Sequence, residues 1–80
     1  METIKIHIAY TNEKLTSNNY MDSFLFNYSI IMQNKPYTVF NGYITCIDRF
    51  LFIQYCKDRI KLELNDNNIN IDVTERNLNL

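Results

Sequence analysis

The residues that could ligate a metal or attack a substrate are few in this sequence and stand far apart. Its soft ligands are Cys46, Cys56 and His7. Two cysteines and one histidine are too few for a zinc site unless carboxylates join them. The acids are scattered along the chain as Glu2, Glu13, Asp22, Asp48, Asp58, Glu63, Asp66, Asp72 and Glu75. Asp66 and Asp72 could approach one another across a last hairpin, but both read as solvated turn residues. No nucleophile has a histidine nearby, and the only glycine, Gly42, cannot make a phosphate-cradling loop. The chain is therefore expected to be no enzyme and to hold no metal or cofactor.

Cys46 and Cys56 leave two readings, a disulfide or two small buried hydrophobes. No charged-apolar-small pattern marks a signal peptide, and no apolar run approaches the length of a membrane span. That predicts a reduced, cytoplasmic compartment, no membrane association and free thiols. Net charge is −1, from nine acids and eight bases. A general nucleic-acid binder would carry a basic excess, so nucleic acid is not the favoured partner.

What remains is binding chemistry. Six tyrosines and five phenylalanines in 80 residues exceed what a small core requires. Tyr10, Tyr20, Tyr37, Tyr43 and Tyr55 are amphipathic anchors of the kind enriched at protein interfaces. Residues 11–21, TNEKLTSNNYM, lack any period and read as a long loop. Glu13, Lys14, Leu15, Tyr20 and Met21 are its contact candidates, though Tyr20 and Met21 could instead fold back to cap the core. Asp48 and Arg49, with Lys57 and Arg59, form a second candidate patch at two predicted turns.

The elements that would position these residues are mostly strands. Residues 3–10, TIKIHIAY, alternate strictly, with Ile4, Ile6, Ile8 and Tyr10 on one face and Lys5, His7 and Ala9 on the other. His7 thus reads as a solvated residue. Residues 22–33 alternate too, and that length predicts a bend or bulge near Asn27. Asn34-Lys35-Pro36 is a turn. Asn41-Gly42 is either a tight hairpin turn or the middle of a strand in which glycine permits a close approach. Residues 43–47 continue as strand. Residues 50–56, FLFIQYC, are apolar on both faces; β-branched and aromatic content favours strand, with a helix at about 48–57 as the alternative. In that helix Asp48 is the N-cap, and Ile47, Phe50, Leu51 and Tyr55 form the stripe. After a turn at Lys57-Asp58, RIKLEL (59–64) and INIDV (69–73) read as a hairpin around Asn65 to Asn68. Residues 74–80 are a frayed tail or a short edge pairing.

The whole reads as one domain over residues 1–80: all-β, a small antiparallel sheet or barrel, with α+β as the alternative. Twelve asparagines suit an AT-rich source and carry no mechanism.

The run Gly42-Tyr43-Ile44-Thr45-Cys46-Ile47-Asp48-Arg49-Phe50 resembles the first Sm motif of Sm-like RNA-binding proteins. Glycine and aspartate stand six apart, with Ile44, Ile47 and Phe50 at apolar positions. Phe52 occupies the position where that family has an RNA-binding asparagine, and no Arg-Gly second motif follows. The resemblance implies a bent-sheet barrel and, as an alternative function, RNA binding through Lys57, Arg59, Lys61 and a stacked aromatic. In size, charge and lack of catalytic motifs the chain also resembles small phage-borne anti-defence proteins, including anti-CRISPR proteins. That likeness implies a non-enzymatic inhibitor in an infected cell, occupying a surface of a host protein or protein complex. A homo-oligomeric structural subunit, such as a homodimer paired through a sheet edge, is the further alternative.

Overall fold

The structure, a computed structural model, describes residues 3–17, 22–33 and 38–79. Four strands and one helix follow in the order β1 (Thr3–Ser17), β2 (Asp22–Met32), β3 (Thr38–Cys46), α1 (Arg49–Leu64) and β4 (Asn70–Asn77). They form one sheet in the order β3-β2-β1-β4. β1 pairs antiparallel with β2, and β2 with β3, while β4 returns parallel to β1. A parallel return needs a crossover, and α1 supplies it by spanning the sheet from the β3 edge to the β4 edge.

The predicted alternation decides which face is covered. Ile4, Ile6, Ile8 and Tyr10 of β1 join Phe26, Tyr28, Ile30 and Met32 of β2 in the core. Phe52, Cys56 and Ile60 of α1 close that core from above. These helix positions lie four apart, which keeps them on one stripe. Phe52 stacks on Phe26 with ring centres 4.3 Å apart, and meets Tyr10 edge-on at 5.1 Å. Cys46 and Cys56 are both free thiols, the second fully buried.

The β-rich expectation holds, and of the two readings of residues 48–57 the alternative, a helix, is the one found; it runs on to Leu64 through the predicted Lys57-Asp58 turn and the 59–64 strand. Asp48 explains where it starts: its Oδ1 accepts the Leu51 N–H at 2.8 Å, an N-cap. Asn65 explains where it ends. It adopts the left-handed conformation (φ 54°) and its N–H donates to Leu62 O at 3.1 Å, while Asp66 N–H donates to Lys61 O at 3.1 Å. Asp66 then accepts the Asn68 N–H. With both ends capped and Phe52, Cys56 and Ile60 buried in register, tertiary packing outweighs the β-propensity of FLFIQY. The predicted 59–73 hairpin is replaced by the end of α1, a capped turn and β4.

Other expectations are corrected in the same way. β1 does not stop at Tyr10; it runs on through Glu13, Lys14 and Leu15 to Ser17, paired with β2 on either side of Leu15. The bulge lies in β1, between Lys14 and Thr16, and not at Asn27 of β2. Of the two readings of Asn41-Gly42, the mid-strand one holds and the hairpin turn does not. A Cβ on Gly42 would lie 3.1 Å from the Tyr28 hydroxyl, so the glycine serves the close approach of that ring. The sheet is mixed and open, with β3 and β4 as its edges, and not a closed antiparallel barrel. Residues 74–77 belong to β4. The predicted turn at Asn34-Lys35-Pro36 lies outside the described residues.

Candidate functional site

The end of β3 and the start of α1 place a cluster of apolar and cationic side chains at one end of the sheet. Phe50, on the first turn of α1, is 77% exposed, between Ile47 at 42% and Leu51 at 44%. Helical geometry then sets Arg49, Ile53 and Lys57 down the flank facing β4. Arg49 pairs with Glu75 of β4, tying the helix start to the edge strand. Arg49, Phe50, Ile53, Gln54, Lys57 and Glu75 line a groove of about 220 Å³. That is below the roughly 300–1,000 Å³ of a small-molecule pocket. Beneath it, burial and the Glu75 charge raise the Tyr10 phenol above its ordinary pKa, against the lowering effect of Arg49.

The opposite flank of α1 faces β3 and is organised by hydroxyls. Tyr28 donates to the Tyr55 hydroxyl at 3.4 Å and accepts from Arg59 Nη1 at 3.5 Å. Arg59 also lies over the Phe40 ring, 5.6 Å from its centre. Its Nε is buried without a partner among the described residues. Burial pushes the Tyr28 phenol up to about 12, with the Tyr55 bond adding to the rise. Tyr55 shifts down, through its bonds with Tyr28 and then Arg59. These three groups, with the buried Cys56 thiol as an electrostatic neighbour, hold the helix to the β3 side of the sheet.

The sheet face away from α1 carries His7, Ala9, Asn27, Ser29, Ile31, Val39, Asn41, Tyr43 and Thr45 in paired rows. Tyr43 is 77% exposed there and Val39 48%. No described element covers this face.

The predicted site residues divide between these places. Glu13, Lys14 and Leu15 sit on β1 and not on a loop; Lys14 pairs with Asp22 at 3.2 Å, and Leu15 is the exposed bulge residue. Tyr20, Met21 and Tyr37 lie outside the described residues. Asp48 is spent on the helix cap, and Arg49 and Lys57 meet in the groove. Lys57 and Arg59 do not form one patch: two residues apart on a helix, they project to opposite flanks. Of the other tyrosine anchors, Tyr10 is core and Tyr55 is half buried, leaving Tyr43 in solvent. Sequence reasoning missed Ile47, Phe50 and Leu51 as exposed groups, because both of its readings of 48–57 put apolar residues inward. The N-cap Asp48 was the available signal: counting in fours from Phe52 gives the inward stripe and leaves Phe50 outside.

Among the described residues no group of three or more His, Cys, Asp or Glu side chains is placed to hold a metal ion. No described helix is long and apolar enough to cross a membrane. No protein-family model matches the chain, and no curated protein or solved structure is significantly similar to it.

Proposed function

We propose that this chain is a non-enzymatic protein-binding module that occupies a surface of another protein through the outer face of the α1 N-terminus. The supporting observation is Phe50. An aromatic side chain 77% exposed on a capped, fixed helix turn has little conformational freedom to lose on binding. Ile47 and Leu51 extend its apolar surface, and Lys57 borders it with positive charge beside the Arg49–Glu75 pair. Aromatic and arginine groups of this kind dominate binding energy at interfaces, ringed by polar contacts. The partner that fits is a protein surface with an apolar recess and acidic groups beside it. An inhibitor that covers a working surface of a host defence protein is the biological form of this reading suggested by the likeness to phage anti-defence proteins.

A comparative pull-down from source-cell lysate tests it. Tagged wild type, F50A and K57E are run in parallel, and bound protein and nucleic acid are both identified. The reading expects one stoichiometric protein that is lost with F50A and weakened by K57E. Bound RNA without a protein partner overturns it in favour of nucleic-acid binding, as does a protein partner retained equally by all three.

A further inference from the structure

We propose that the free edge of β3 pairs with the same edge of a second copy, giving a two-fold symmetric dimer with one continuous eight-stranded sheet. The inference is independent of the helix-end reading. It starts from a difference between the two edges of the sheet. β4 carries Asp72, Glu75 and Arg76, charged residues that discourage further strand addition. β3, TVFNGYITC, has no charged residue in nine, and no proline. Its register against β2 runs unbroken from Phe24 and Cys46 to Met32 and Thr38, so no bulge twists the edge away. Gly42 has no positive φ to bend it. β4 is thus guarded by charge, while β3 has neither charge, proline nor bulge to block its edge.

A two-fold partner is the occupant this edge fits. In antiparallel self-pairing, residues symmetric about the axis face each other, so any charge would meet its neighbourhood's own copy. An uncharged edge incurs no such repulsion. Gly42 is the midpoint of Thr38–Cys46. With the axis there, the residue on the axis has no side chain to collide with its mate. Phe40 then faces the partner's Ile44 on the helix side. Val39 faces the partner's Thr45 and Asn41 faces the partner's Tyr43 on the open side. Each pair shares a face, as antiparallel pairing requires. Because the outer edges of the joined sheet would be the charged β4 strands, assembly stops at two and does not continue into a fibre. Nine paired residues make a small interface, so association is concentration-dependent.

Sedimentation equilibrium over a range of concentrations tests this with two double variants. Val39 and Thr45 are both exposed on the open face, and at strand rise they stand about 20 Å apart within one chain. Circular dichroism should therefore show V39K/T45K and V39K/T45E folded alike. In the proposed register V39K/T45K sets like charges opposite one another twice, and V39K/T45E sets opposite charges. Wild type is expected to show a monomer–dimer equilibrium, weakened about tenfold or more in V39K/T45K and restored in V39K/T45E. A wild type that is monomeric at every concentration overturns the proposal. So does a dimer unchanged in V39K/T45K, or one lost equally in both variants.

Discussion

Phe52 is the side chain through which the helix and the sheet meet. It lies flat against Phe26 and touches Tyr10 and Tyr28 as well. F52A should therefore cost about 3–5 kcal/mol of unfolding free energy by urea titration, the range for losing a buried phenylalanine. Cys56, one turn on, behaves as a small hydrophobe whose ionisation the core resists: burial pushes its thiol up to about 12 from 9.0. The unfolded chain thus releases this proton at lower pH than the folded one does. Between pH 9 and 12 the folded state holds more protons, so stability falls as pH rises. Tyr28 acts in the same direction above pH 10, and Tyr55, whose pKa is lowered, acts against it. The urea midpoint should drop as pH is raised from 9 towards 11, with a shallower slope in C56A than in wild type. The reading of the cysteines as small buried hydrophobes was legible from residue type for Cys56, while Cys46 is only partly buried. The exposure of Phe50 was not legible, because a phenylalanine in an apolar run says nothing about direction until the element is known.

At the scale of elements, the strands were readable, and the helix only as the alternative at about 48–57, with its Asp48 cap right and its length and inward stripe wrong. TIKIHIAY buries every second residue, as DSFLFNYSIIM does from Phe26 on, and a period of two survives in sequence whatever lies above it. α1 buries only one residue per turn fully, at Phe52, Cys56 and Ile60, while Phe50, Leu51 and Leu62 face solvent. Apolar residues on both sides blur the helical period into a run that resembles a covered strand. Its caps carried the information instead, and Asp48 should be worth about 1 kcal/mol: D48A lowers thermal stability by that amount, with helix content frayed at the first turn in circular dichroism. Gly42 is the other local lesson. An Asn-Gly pair predicts a hairpin from backbone preference, but Tyr28 lies against this glycine from the neighbouring strand. G42A should displace the Tyr28 hydroxyl and loosen its bond to Tyr55, read as a lower apparent pKa for Tyr28 in ultraviolet titration. An unchanged tyrosine titration would show that the ring has room to spare.

At the scale of the whole molecule, two layers leave two kinds of surface. One sheet face is sealed by α1, and the other stands open with Tyr43 and Val39 in solvent. The alternation showed which face is covered but not by what, because the chain crosses the full width of the sheet from β3 to β4 before β4 pairs in parallel with β1. The same crossover brings Glu75 to Arg49 and so builds the groove beside Phe50. Leu62 provides a natural control for the binding reading. It is as exposed as Phe50, at 77%, but lies three turns along α1 with Tyr55, Asp58, Arg59 and Glu63 around it.

The most direct measurement is the affinity of the purified partner for wild type, F50A and L62A by calorimetry. Binding through the α1 N-terminus predicts a loss of about tenfold or more in F50A, with L62A equal to wild type. Equal affinity for all three, or a loss in L62A matching that in F50A, would contradict it.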